Sequence, residues 1–241
     1  KHITFAEDDP IEAINTNFLG TLNILNACKE FRVNKMVFIS TDKAVNPSTF
    51  MGATKRLCEK YIQQLDGKIT TELKIVRFGN VLGSTGSVIP LFEKQIKEGG
   101  PVTITHPNVQ RYFMTIREAV ELVIIASIDS SKGRSGEIHI LEMGEPVKIK
   151  DLAKKMIQLS GQKKEIPIIY TKLRKGEKID EELFYNKEDV SKTKNNFILK
   201  TTKKINQISE MDIEQFLNDL NKAEEKEILR SFFKLLPEYK R

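Results

Sequence analysis

No apolar run in this sequence is long enough to cross a bilayer. Only two cysteines occur, Cys28 and Cys58, each inside an apolar helical pattern. That scarcity excludes a disulfide framework or a thiolate metal centre and suggests reduced core thiols in a cytosolic compartment. The three histidines, His2, His106 and His139, are too dispersed to read as a metal site, so no metal is expected. Also lacking is the strand, glycine-rich turn and helix, followed by an acidic residue, that opens a dinucleotide-binding fold. Nothing before Asp9 supplies it, and the one glycine-rich loop between strand and helix patterns, Gly79-Asn-Val-Leu-Gly-Ser-Thr-Gly86, has the wrong glycine spacing.

What is present is charge, at +6 formally, with 30% charged and 39% hydrophobic residues, the balance of a soluble globular protein of one or two domains. The lysines are scattered through helical patterns beside glutamates, and no aromatic residues interleave with a basic stripe. The pattern therefore reads as solvated surface, and nucleic acid is not an expected partner. A anionic sugar nucleotide or a nearby membrane would be helped by the same charge.

The chain is organised around Val37-Phe-Ile-Ser-Thr-Asp-Lys43. An apolar, β-branched run reads as a buried parallel strand, and its C-terminal end carries hydroxyl, carboxylate and ammonium groups. In open α/β sheets ligands bind at that end. Asn46-Pro47 breaks the chain, and Met51, Thr54, Lys55, Cys58, Tyr61, Ile62 and Leu65 then recur at helical spacing up to Gly67. Met51 and Lys55 share a face, so Asp42, Lys43 and Lys55 can converge on one pocket. Taken alone, the block is equally an ordinary turn and helix cap, with Met51 in the core.

Ser40-Thr-Asp-Lys-Ala-Val-Asn-Pro47 followed by Met51-x-x-x-Lys55 resembles the extended short-chain dehydrogenase/reductase superfamily, and within it the sugar-nucleotide 4,6-dehydratases of polysaccharide biosynthesis. Met51 stands where that family usually has the tyrosine of Tyr-x-x-x-Lys, as in the long, membrane-anchored UDP-N-acetylglucosamine 4,6-dehydratases. The resemblance continues through Arg77-Phe-Gly-Asn-Val81, Arg111-Tyr-Phe-Met-Thr115 and Arg174-Lys-Gly-Glu-Lys178, in which Lys175 replaces a proline. It implies the C-terminal part of a Rossmann-like doubly wound parallel α/β sheet with a smaller mixed α/β substrate-binding lobe. The expected divisions are residues 1–84 for half of an NAD-binding domain, 85–186 for the lobe with a returning strand near 137–141, and 187–241 for a helical appendage.

The resemblance also implies chemistry, with NAD or NADP as cofactor and a UDP-sugar as substrate. The sugar is oxidised at C4, loses water across C5 and C6, and regains hydride at C6. The new ketone acidifies the C5 proton, and an adjacent aspartate and lysine suit the acid and base steps. By resemblance Asp42 is the acid, Lys43 the base, Thr41 the partner of the C4 oxygen, and Lys55 the holder of the nicotinamide ribose with Ser40 beside the cofactor. Met51 has no titratable proton, so a water or another side chain must accept the C4 hydroxyl proton. Asn80 would contact substrate beneath the diphosphate, Arg111 and Arg174 its phosphates, and Glu177 the ribose hydroxyls. For Arg111 a surface position is the alternative. Asn17 is either a support under the active site or an exposed helix residue.

Lys1-His2 resembles the point where that family's chain leaves its fourth strand. The expectation is therefore a cytoplasmic portion of a longer, membrane-anchored parent, the membrane being reached only through a preceding region. An exposed strand edge, poor stability alone and homo-oligomerisation are expected with it. Two other functions stay open, a sugar-nucleotide epimerase on the same fold and a non-catalytic sugar-nucleotide binding module.

Overall fold

The computed structural model describes residues 1–65, 67–129, 136–185, 190–201 and 208–239. A short helix α1 (Ile3–Asp8) leads to α2 (Pro10–Ile14), whose Asp9 cap accepts from the Glu12 amide at 2.9 Å and whose proline takes the first helical position. A single π-turn over Asn15–Leu19 joins it to α3 (Gly20–Glu30). Ile14, Phe18 and Leu25 turn inward as their spacing predicts.

Strand β1 (Lys35–Thr41) ends in a 3₁₀ turn over Asp42–Ala44, and Thr49 caps α4 (Phe50–Gln64). Then follow β2 (Glu72–Phe78), β3 (Asn80–Val81), α5 (Val88–Lys97), β4 (Val102–Ile104), β5 (Gln110–Arg111), β6 (Phe113–Met114) and α6 (Ile116–Ile128). After α6 come β7 (Glu137–Leu141), β8 (Val147–Lys148), α7 (Ile149–Leu159) and β9 (Ile168–Tyr170). The chain finishes with β10 (Val190–Lys192), β11 (Ile198–Thr201), α8 (Glu210–Lys222) and α9 (Glu225–Leu235).

The main sheet has the order β1-β2-β7-β11-β10. Its first three strands are parallel, in the register Ser40 opposite Arg77 and Arg77 opposite Ile140, while β11 and β10 are antiparallel additions. Side chains alternate across the sheet. Phe38, Leu73, Ile75, Ile138 and Ile140 face a core shared with α4, α8 and α9, whereas Val76, Leu141 and Ile198 face α6. A smaller lobe packs α5 and α7 on the parallel pair β4 and β9 through Phe92, Ile96, Val102, Ile104 and Ala153. The strand expected near 137–141 is thus β7, inside the main sheet.

The end of the chain differs from its expected form. It is no appendage: β11 joins the sheet, and Phe216, Phe232 and Leu236 are buried in the main core, with the Phe232 ring stacked 4.8 Å from Phe50. Burial of these apolar faces explains the packing, because α8 and α9 cover the open side of α4. The division expected at residue 186 lies outside the described residues. No helix among the described residues is long and apolar enough to cross a membrane.

Candidate active site

The tip of β1 is held in place from below. Asp42 is fully buried, and its Oδ1 accepts from the Thr41 hydroxyl at 2.8 Å and from the Lys43 amide and ammonium at 2.9 Å each. Its Oδ2 has no hydrogen-bond partner among the described residues. Lys43 Nζ also donates to Asn80 Oδ1 at 3.0 Å, tying the tip of β1 to the loop after β2. Gly52 lets α4 lie against this turn, since a Cβ there would collide with the Lys43 carbonyl.

Above the tip opens a cavity of about 400 Å³. Thr41, Lys43, Met51, Lys55 and Asn80 line it together; helical spacing placed Met51 and Lys55 on one face, and the resemblance implied Thr41 and Asn80. Lys55 donates to the Ile39 carbonyl at 3.1 Å and lies over the Phe38 ring at 4.6 Å. Burial lowers its pKa, against smaller opposing influences from Cys58 and Glu59. Burial likewise pushes the Cys58 thiol up to about 12, so it is an inert core group.

Asp42 stands elsewhere than expected, while Ser40 and Asn17 are each tied to a partner at the site's floor. Asp42 does not line the cavity but backs Lys43, so the ammonium alone is presented. Ser40 lines the cavity, with its hydroxyl committed to buried Glu59 at 2.6 Å. Asn17 donates to Thr54 Oγ1 at 2.9 Å and so props α4 from beneath.

A second cavity of about 210 Å³ shares Asn80, Gly86, Ser87 and Val88 with the first, so the two form one cleft. It is lined by Arg111, Arg174 and Glu177 among others. Arg111, however, donates to the carbonyls of Gln110, Lys178 and Ile179 at 2.7–3.0 Å and to Glu177 at 3.2 Å. It therefore clamps the segment around residue 178 and has little donor capacity left for a phosphate. Glu177 in turn accepts from Thr105 Oγ1 at 2.9 Å and from the Arg174 amide at 3.1 Å.

Two features of the cleft escaped the sequence reading. Where the cavities join stands the first turn of α5, whose free amide groups form the positive end of the helix, next to a Ser87 hydroxyl without a partner among the described residues. The second is Glu181, buried against Lys43 and Arg111. Only burial distinguishes it from the neighbouring Glu182, and burial depends on how residues 174–185 fold over the loop after β1, with Ser48 donating to the Gly176 carbonyl and Lys178 to that of Val45.

The chain is 55% identical over 79% of its length to the capsular polysaccharide biosynthesis protein CapD of Staphylococcus aureus, of which it spans 31%. It is 40% identical over 80% of its length to a UDP-glucose 4-epimerase of Rickettsia akari, of which it spans 55%. Among solved structures it is similar to Pen from Bacillus thuringiensis, with 34% identity and a TM-score of 0.76 over 91% of this chain and 72% of that one. Residues 1–203 match the polysaccharide biosynthesis protein family, and the chain belongs to that family.

Proposed function

We propose that this protein is an NAD-dependent sugar-nucleotide 4,6-dehydratase of glycan biosynthesis, converting a UDP-N-acetylhexosamine, with UDP-N-acetylglucosamine the expected member, into a 4-keto-6-deoxy sugar nucleotide. The observation that carries the reading is the buried Asp42 behind a Lys43 that faces the cleft, opposite an untitratable Met51. Elimination needs a proton taken from C5 and one given to the departing C6 hydroxyl, and this pair exchanges protons through the Lys43 nitrogen.

The residues present fit the nicotinamide riboside end of NAD, since Ile39, Met51 and Phe78 supply apolar wall and Lys55 an ammonium. Bound there, NAD supplies the acceptor and later the donor of a hydride. Thr41 orients the C4 oxygen, Asn80 holds Lys43 in line, and Lys55 keeps that end electropositive. The α5 N-terminus with Ser87, and the side of the cleft with Arg174, suit the diphosphate. Glu177 and Arg111 shape the segment that bears Arg174.

A sugar-nucleotide epimerase is the second reading, favoured by the 40% identity to the Rickettsia enzyme. The Asp42–Lys43 pair counts against it, because epimerisation at C4 needs no proton taken from C5 or given at C6, whereas Met51 bears on both readings alike. The test is proton NMR of the NAD-loaded protein with UDP-N-acetylglucosamine in deuterated water, beside Asp42→Asn and Lys43→Ala. A new C6 methyl signal with deuterium at C5, lost in both variants, is the expected result. A C4 epimer without that methyl signal would establish the second reading instead.

A further inference from the structure

Glu181 is a buried carboxylate behind Lys43 and Arg111 that the dehydratase steps leave without a task. It stands 8% exposed, with Oε1 3.9 Å from Lys43 Nζ and 3.8 Å from Arg111 Nε. Arg111 Nε is the guanidinium donor left over once both terminal nitrogens are bound to the carbonyls and Glu177, so Glu181 faces a fixed cation on one side and a proton-carrying one on the other.

We propose that Glu181 is a positioning residue of the proton-exchanging tip, its carboxylate fixing where the Lys43 nitrogen stands. The inference rests on the reading of the cleft given above and deepens it. Two carboxylates, Asp42 and Glu181, flank one ammonium, with Arg111 on β5 and Lys178 on the same segment as the other charges that face Glu181. Burial raises the Glu181 pKa, Lys43 opposes that rise, the Asp42 charge adds to it, and Arg111 and Lys178 oppose it. While Glu181 is ionised its charge draws the Lys43 nitrogen to one place beside that of the departing hydroxyl. A proton arriving on Glu181 removes that hold, and the Lys43 nitrogen is no longer fixed from this side.

The test has two arms. In protein labelled with ¹³Cδ-glutamate, the Glu181 signal is identified by its absence in Glu181→Gln. Its titration midpoint should rise by about one pH unit in Lys43→Met, because an opposing cation at this distance has been removed. The second arm is the pH dependence of kcat in the NAD-loaded protein. Wild-type kcat should fall on the acid side as Glu181 takes its proton. Glu181→Gln should lower kcat at least about tenfold and lose that limb, with KM changed less than about twofold, and Glu181→Asp should restore the limb in part. A Glu181 midpoint that ignores Lys43→Met, or a Glu181→Gln profile that keeps the acid limb, overturns the proposal. If the protein turns over no UDP-sugar, the reading of the cleft has failed and the NMR arm still decides the role of Glu181. If Lys43→Met does not fold, the kinetic arm decides it.

Discussion

Glu59 is a fully buried carboxylate held between two buried arginines. It accepts from Arg77 through two nitrogens at 2.7 Å each, from Arg56 at 3.1 Å and from Ser40 at 2.6 Å, with Arg77 itself fully buried. Breaking such a cluster leaves guanidinium groups in a low dielectric without their counter-charge. Glu59→Gln should therefore destabilise the fold by about 3–5 kcal/mol near neutral pH, read from urea denaturation. Burial alone would raise the Glu59 pKa, but Arg77, Arg56 and Ser40 together hold it below the ordinary 4.5. A depressed folded-state pKa gives a contribution that is complete above 4.5 and is lost as the pH falls through the lower folded value. The gap between wild type and variant should narrow in that acid window and stay constant above it. None of this is visible in the sequence, where Arg56, Glu59 and Lys60 look like the solvated face of a helix. Their burial comes from α9 and the residues after it, which bring the Leu235 carbonyl and Glu238 to Lys60 and Arg56.

Among the elements, α4 and the tip of β1 form the unit on which the chemistry depends. The four-residue spacing from Met51 to Lys55 sets both on the cleft, and that much was legible, because helical periodicity needs no knowledge of what packs behind. So were β1, β2 and β7, whose apolar runs read as strands, although β1 proves to be covered on one face only, with Ile39 exposed. β10 and β11 were not, since Ser191, Lys192 and Lys200 have the polarity of a linker and become strands only by pairing at the far side of β7. The depth of Asp42 was equally hidden, being set by the close approach of α4 at Gly52. Gly52→Ala should push α4 from the turn, cost about 1–3 kcal/mol by denaturation, and weaken NAD binding by calorimetry. A variant with wild-type stability and affinity would show that the contact does not register the two elements.

At the scale of the whole molecule, the sheet stops at β1, which pairs only with β2 among the described residues. Ile39 is 41% exposed on this edge strand. On the sheet face opposite α4, α6 exposes Ile116, Val120, Ile124 and Ile128, each more than half accessible and four residues apart, so they form one apolar stripe. An unpaired edge and a continuous apolar stripe both favour contacts between molecules over contacts with water. The sequence of α6 shows its apolar content but not which side the sheet takes, and that side is fixed by Ala119 and Ala126, small enough to lie close to Val76 and Leu141. Sedimentation velocity of this 241-residue chain should therefore show association that grows with concentration. Val120→Lys with Ile124→Glu should shift the distribution toward monomer while leaving the melting temperature nearly unchanged, because neither side chain belongs to the buried core. A monodisperse monomer with a cooperative, reversible melt at every concentration would mean that the edge and stripe are tolerated in water. A double variant that associates as the wild type does would move the contact to another face.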